Sequence, residues 1–508
     1  MREDARPARF FEREAMSATG AKGAVACGHP ETARAAVEVL RAGGNAVDAC
    51  LAALFMAAFA EPVLAAPGGG GFLMAHDGTT PRLFDFFCDA PLALPPRHDI
   101  EFVEIHADFG ETTQAFHIGA GAAATPGFLP GVKRASAELG RLAFADLLQP
   151  AILAARAGIA VAPLQARMFR IVAPILTFED AARRLFAPQG RLLEEGEPFA
   201  NPQLADALAE IAAGRIATVE EAMIAECRAH DGLLERRDFD AYEVKERQPV
   251  TTRIGDFELF LNAPPALGGL LAGLALKALA ASEHSDGKAR LAALRELEQA
   301  RRSGRLPRLP DAGEADSAAD LTAPLVSRGT THVSVVDADG MAAAVTVSNG
   351  EGNGRLVPGM GFMLNNMLGE EDLNPAGFHA CEAGIRLASM MAPTIARAKD
   401  GRLIALGTGG SSRIRTAIFN VLANLLLEGM NPQEAVEAAR LHYENGTLDV
   451  EASGERDDLA ALKAEEPGLK AWRERSMYFG GVHVVCADGK GGFAGRGDPR
   501  RGGVFALA

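Results

Sequence analysis

Ser327–Gly340 reads SRGTTHVSVVDADG, and the architecture follows from what that stretch becomes. THVSVVD alternates apolar and polar residues at the period of a half-buried strand, and Asp339-Gly340 marks a hairpin turn. Ahead of the strand, Arg328-Gly329 opens directly onto Thr330-Thr331. A threonine hydroxyl holds its proton too tightly to be a good nucleophile near neutral pH. It is activated when the threonine begins a chain, because the freed α-amine, with a pKa of roughly 7.7–8.0, acts as its base. Cutting the Gly329–Thr330 bond would bring Thr330 to that state. Glycine leaves the attacked carbonyl unshielded and tolerates unusual dihedrals. Read on its own, Arg-Gly-Thr-Thr is more often a plain loop entering a strand.

Outward from this strand, MAAAVTVS pairs back across the Asp339-Gly340 turn, and RLIALGTGG, the helix TAIFNVLANLLLEG and the hairpin GGVHVVCADGKGGFAG follow. Upstream, His29-Pro30-Glu31 starts a helix closed at Gly43-Gly44. Asn45 caps a second, more apolar helix that Pro62 ends. FLMAHDGTTPRLFDFF is a strand pair about His76-Asp77-Gly78, Asp146–Ala213 is mostly helical, and TRIGDFELFLN returns to strand. Long apolar helices thus flank strands in both parts, and two sheets covered by helices on both sides would bury all these faces. Residues 282–328 stand apart. They are rich in Arg, Glu, Ala and Asp, nearly lack β-branched residues, and read as a mobile, solvated stretch.

Composition narrows the function. The 508 residues are 48% hydrophobic with a net charge of −15, which argues against nucleic acid or an anionic membrane as a partner. Residues 1–22 are charged and carry no apolar core of a secretory signal. The apolar run Ala46–Ala60 is too short to span a bilayer. A cytoplasmic location is the expectation. Six scattered cysteines with no CxxC pair are expected to be buried thiols, and His29, His76, His332 and His379 lack metal-ligand spacing. No metal or other cofactor is expected.

GTGGSSR (Gly407–Arg413) sits between a strand and a helix, where backbone N–H groups converge on an anion or a developing oxyanion. Glycine turns there also serve packing alone. It has no lysine of a P-loop, Gly68–Gly71 lacks a dinucleotide-binding spacing, and Ser411-Ser412 is not in a GxSxG elbow. Asp337-Ala338-Asp339-Gly340 lacks the later acid of a calcium loop and is better read as the turn.

Several stretches together resemble the γ-glutamyltranspeptidase family of N-terminal-nucleophile hydrolases. They are GAVACGHPETARAAVEVLRAGGNAVDA, EPVLAAPGGGGF, ATPGFLPGVKRASAELGRLAFADLLQPAI, NAPPALGGLLAGLAL, GTTHVSVVDADG, GFMLNNMLGEEDLNP, MAPTI, GTGGSSRI and GRGDPRRGG, in that order. The resemblance implies an α+β fold of four αββα layers, made as one precursor that cuts itself between Gly329 and Thr330. Residues 1–22 would be an extension and 23–329 the large-subunit portion, with 282–328 a flexible pre-cleavage segment. Residues 330–508, 179 in number, would be the small-subunit portion of one intertwined domain. It further implies a heterodimer of processed subunits, with a dimer of heterodimers as a candidate assembly. Thr330 would be the nucleophile and, once freed, the amine base. Gly410 and Ser411 would supply the oxyanion hole, where one lost donor costs about 2.7–4 kcal/mol. Ser348 stands where the family has a supporting threonine.

The departures lie where the family holds its glutamyl group. Phe87 stands at the place of the arginine that clamps the α-carboxylate. The paired serines become Ser389-Met390. The Gln and Asp after Asn365-Asn366 become Met367 and Glu370. Asn349 lies near a further substrate contact. Phenylalanine cannot replace a bidentate guanidinium, so a glutamyl carboxylate facing Phe87 and Met390 would be disfavoured. Arg355 and Arg386 are candidate replacements, set against surface charge and a strand-end ion pair. The expected activity is a self-processing amidohydrolase or acyltransferase acting on a small-molecule amide of non-standard acyl group, with water or an amine as acceptor. The alternatives are a true γ-glutamyl hydrolase or transpeptidase, and an unprocessed binding protein of the same fold.

Overall fold

A computed structural model describes residues 11, 20–94, 99–108, 113–303, 329–374, 377–452 and 458–508. Two large sheets organise them, and only their strands and covering helices are numbered here. The first sheet contains β1 (Gly23–Cys27), β2 (Gly70–His76), β3 (Pro81–Phe86), β4 (Lys245–Arg247), β7 (Thr330–Asp337), β8 (Ala342–Ser348) and β13 (Val504–Leu507), in the order β13-β1-β7-β8-β2-β3-β4. The second contains β5 (Val250–Ile254), β6 (Phe257–Leu261), β9 (Thr394–Ala398), β10 (Leu403–Gly409), β11 (Gly481–Ala487) and β12 (Phe493–Arg496), in the order β12-β11-β10-β9-β6-β5. All neighbours in both sheets are antiparallel.

The sheets stack, with β7 and β8 packed on β10. Helices α1 (Pro30–Arg41) and α2 (Ala46–Ala60) cover the first sheet, and α3 (Gly268–Ala281) and α5 (Arg413–Leu426) the second. Four αββα layers result. Local sequence explains the helix starts: Asn45 and Asp48 form a reciprocal capping box at α2, which satisfies two N-terminal donors. Every residue of α2 is buried, as its uniformly apolar sequence requires.

Two expectations change. Strand β7 was read as half-buried, yet all eight of its residues are buried. Its polar positions face a second protein layer rather than water, and they are satisfied there. His332 meets the Thr346 and Ser334 hydroxyls, each at 2.8 Å, and Ser334 Oγ donates to the His483 carbonyl at 3.2 Å. The second change concerns the stretch read as mobile. Gly287–Arg302 is a helix, α4, capped by Asp286 and burying Leu291, Leu294 and Leu297. Its Arg290 donates to Asn424 Oδ1 at 2.7 Å, which ties it to α5. The remainder, 304–328, lies outside the described residues, as do most of residues 1–22.

The Gly68–Gly71 run serves backbone contact. A side chain on Gly69 or Gly71 would strike the carbonyl oxygen of Ser348 or Thr346 on β8. All six cysteines are free thiols, five of them buried. No helix among the described residues is long and apolar enough to cross a membrane.

Candidate active site

Thr330 is the first residue of β7, a central strand of the inner face, and it pairs with Ser348 at the end of β8. That register brings the Ser348 hydroxyl onto the Gly329 carbonyl, to which it donates at 2.7 Å. The Gly350 N–H donates to Ser348 Oγ at 3.1 Å, fixing the hydroxyl's direction. Gly329 is buried against Gly350, and a β-carbon there would overlap the Gly350 carbonyl oxygen. Glycine is therefore required before Thr330 by contact, beyond the ease of attack that sequence suggested.

Strand β10 ends at Gly409, whose α-carbon leaves no room for a side chain against the Thr330 carbonyl. The next two residues leave the ladder in positive φ, Gly410 at 132° and Ser411 at 63°. A left-handed serine costs on the order of 1 kcal/mol or more, and such strain is kept where backbone direction matters. It turns the chain from the end of β10, where Gly409 lies against Thr330, into the start of α5.

Behind the threonine lies a polar cluster that sequence reasoning did not assign. Glu61, at the end of α2, accepts from the Thr331 hydroxyl and from the Thr32 hydroxyl, each at 2.8 Å. Burial raises its pKa, while those two hydroxyls and the Arg501 charge oppose the rise. Arg501 Nη1 donates to the Thr330 carbonyl at 3.4 Å, and burial chiefly, with repulsion from Arg413, lowers its pKa to about 10. Burial brings the His483 pKa down to about 4. A cavity of ≈ 10 Å³, lined by Gly28, Glu61, Thr330, Thr331, His483 and Arg501 among others, has room for about one water. The one signal for Glu61 was a lone acid ending an apolar run. Arg501 lay in GRGDPRRGG without a role.

The other candidates are less gathered. Glu370 is buried, with its carboxylate over Gly350: a β-carbon there would lie 2.6 Å from Oε1. It also lies near Cys88, whose pKa burial chiefly raises and the Glu370 charge raises further. Asn349 is buried, with Nδ2 donating to the Met363 and Leu364 carbonyls at 3.4 and 3.5 Å. Asn366 Oδ1 accepts from the Glu351 N–H at 2.9 Å. Phe87 is buried and stacks on Phe72, with centroids 5.7 Å apart, in the same apolar cluster as Met367 and Met390. Ser389 Oγ accepts from the Met391 N–H at 3.0 Å, a turn bond. None of Phe87, Glu370, Ser389 or Met390 lines the cavity beside Thr330.

Neither candidate replacement arginine is available. Arg386 pairs with Asp85 and Asp89 and lies over the Tyr242 ring. Arg355 pairs with Glu101 and lies over Phe178. Both serve structure.

This geometry is that of a threonine-headed inner strand facing a glycine turn in an αββα sandwich, the class of N-terminal-nucleophile hydrolases. The Gamma-glutamyltranspeptidase family profile matches residues 32–305 and 308–508, and the chain belongs to that family. It is an enzyme of the hydrolase and transferase kind. The acylase ACY 1 proenzyme of Pseudomonas sp. (strain V22) is 29% identical to it, over 96% of this chain and 93% of that protein. The glutathione hydrolase proenzyme of Pseudomonas aeruginosa is also 29% identical, over 96% and 95%. In fold, the chain is similar to the crystal structure of cephalosporin acylase from Bacillus halodurans, with a TM-score of 0.81 and 23% identity over 97% and 98% of the two chains.

Proposed function

We propose that this protein is a precursor that cuts itself after Gly329, and that the new N-terminal Thr330 hydrolyses or transfers the acyl group of a small-molecule amide other than a γ-glutamyl amide. The observation that carries the reading is the Ser348 hydroxyl on the Gly329 carbonyl at 2.7 Å, beside the threonine that must attack it. Polarised in this way, the carbonyl carbon accepts the Thr330 oxygen while a base takes the hydroxyl proton. The C–N bond breaks, the nitrogen gains a proton, and Gly329 is left as an ester on Thr330. Water then cleaves the ester, releasing a Gly329 carboxylate and a free Thr330 amine.

The same residues serve turnover. The freed amine takes the Thr330 hydroxyl proton as the oxygen attacks the substrate amide. The negative oxygen of the tetrahedral intermediate is held by the Gly410 and Ser411 N–H groups. The amine half leaves with the proton, and water or a second amine releases the acyl group. Acyl choice is argued from Phe87, which offers a ring where a glutamyl carboxylate needs a guanidinium, and from Arg355 and Arg386, which are held in other ion pairs.

Mass measurement and N-terminal sequencing of the purified protein test the first part, which fails if no fragment begins at Thr330. A panel of glutamyl, glutaryl, oxamate-like and β-lactam side-chain amides tests the second. γ-Glutamyl anilides are expected to be poor substrates, and efficient glutamyl transfer to dipeptides would overturn the acyl assignment.

A further inference from the structure

Self-cleavage and turnover differ in where the base comes from. Before the cut, the Thr330 nitrogen is acylated by Gly329, so it is an amide and cannot take the hydroxyl proton. Another group has to. Among the described residues, the titratable side chains that line the cavity beside Thr330 are Glu61, His332, His483 and Arg501. The Ser334 hydroxyl donates to the His483 carbonyl at 3.2 Å, so its oxygen accepts from His332 Nε2. The basic nitrogen of His332 is then Nδ1, and the Thr346 hydroxyl donates to it at 2.8 Å. His483 Nδ1 accepts from the Asp498 N–H at 3.2 Å. Its neutral ring therefore carries the proton on Nε2 and is a donor there. Arg501 is a cation with no lone pair to offer. Glu61 remains. It is 1% exposed, and its Oε1 accepts from Thr32 and its Oε2 from Thr331, at 2.8 Å each. A carboxylate oxygen has a further lone pair. Gly28 makes the space in front of it: a β-carbon there would lie 3.0 Å from Glu61 Oε2, 3.4 Å from Thr331 Oγ1 and 3.6 Å from His483 Nε2.

We propose that Glu61 is the proton acceptor of the self-cleavage step, reaching the Thr330 hydroxyl through one water held between Glu61, His483 Nε2 and Thr330. The site suits a water: the cavity is ≈ 10 Å³ and polar atoms converge on it, two to four partners being what a buried water needs. In the step, the water takes the Thr330 hydroxyl proton as it passes one of its own to Glu61. The Thr330 oxygen bonds to the Gly329 carbonyl carbon. As the C–N bond breaks, the proton returns from Glu61 through the water to the Thr330 nitrogen. An ester and an amine result, Glu61 is again a carboxylate, and the relay water is not consumed. Burial raises the Glu61 pKa against the pull of the two hydroxyls and Arg501, and a carboxylate so raised is a better base than an exposed one. After the cut the Thr330 amine takes over, so Glu61 serves the chain's own bond. This rests on the Thr330 reading above.

The test follows fragment appearance on a denaturing gel after the full chain is made by cell-free translation. Glu61→Gln keeps an oxygen for the threonine hydroxyls but has no basicity, and cutting is expected to slow by about 10²–10⁴-fold. Gly28→Ala keeps the carboxylate and puts a methyl group where the water stands, and it should slow cutting by about tenfold or more. Formate separates a base from a packing residue. Added to purified, uncut Glu61→Ala, it should restore cutting, while chloride at the same ionic strength should not. Wild-type cutting rates in Glu61→Gln or in Gly28→Ala, or a folded Glu61→Ala that ignores formate, would each overturn the relay. Should Glu61→Gln not fold, by its melting curve, Gly28→Ala and the formate series decide. A wild-type chain that gives no fragment beginning at Thr330 would instead overturn the processing reading, so the two failures are distinguishable.

Discussion

Two places in the first sheet, Thr330 at the head of the central strand β7 and Phe87 just past the end of β3, are built in opposite ways. Around Thr330 polar groups gather: Ser348 on the preceding carbonyl, Arg501 on its own carbonyl, and Glu61 beneath Thr331. The Phe87 side chain instead belongs to an apolar cluster, with Phe72 stacked on it and Met367 and Met390 in the same cluster. In the proposed reaction, attack by Thr330 would depend on backbone register and close approach, which many residues hold jointly, whereas recognition of the proposed acyl group would depend on a few side-chain identities.

The largest effect is expected from Thr330→Ala. It should leave a single 53.2 kDa chain on a denaturing gel and reduce amide hydrolysis to background; fragments ending at Gly329 would break the assignment. Next comes Ser348→Ala, which removes one donor from the carbonyl under attack. Processing should slow by about 10²–10³-fold, read from the time course of fragment appearance, and Ser348→Thr should restore it.

Phe87→Arg probes the other place. It places a guanidinium in an apolar cluster where the arginines already present are committed to other acids. Stability should fall by about 3–5 kcal/mol in urea unfolding, with no gain of γ-glutamyl hydrolysis. A stable variant that cleaves γ-glutamyl anilides would show that the two places are more alike than their packing says.

The smallest effect concerns Glu226, in the cluster that holds Arg355. Burial, then Glu179, raises its pKa from 4.5 to about 7, with Arg355 opposing. The folded state therefore binds this proton more tightly than the unfolded chain does. The stability it lends is full below pH 4.5 and is lost as pH rises through about 7. Glu226→Gln should match wild type in acid and exceed it by on the order of 2 kcal/mol at pH 8. Melting curves across that range read the difference, and parallel curves would place Glu226 in a wetter setting.

Much of this was legible in the residues. Asn45 and Asp48 announce α2, Asp339-Gly340 turns β7 into β8, and the glycine run lets β2 lie against β8, because each is a local steric or hydrogen-bonding requirement. Thr330, Ser348 and the glycine turn were legible by resemblance. Glu61 and Thr331 were not, being 270 residues apart in sequence and joined only by stacking of layers. The α4 helix was missed because its charge and alanine content masked the three-residue spacing of Leu291, Leu294 and Leu297.

In the order β13-β1-β7-β8-β2-β3-β4, strands from before and after Gly329 interleave: β1 lies between β13 and β7, and β8 between β7 and β2. A cut at Gly329 would thus yield two polypeptides that share both hydrophobic cores, with no surface between them that either could expose and survive. Their union has no meaningful affinity, only a history. Two halves made separately would have to fold around each other from the start, and a damaged half could not be exchanged for a fresh one.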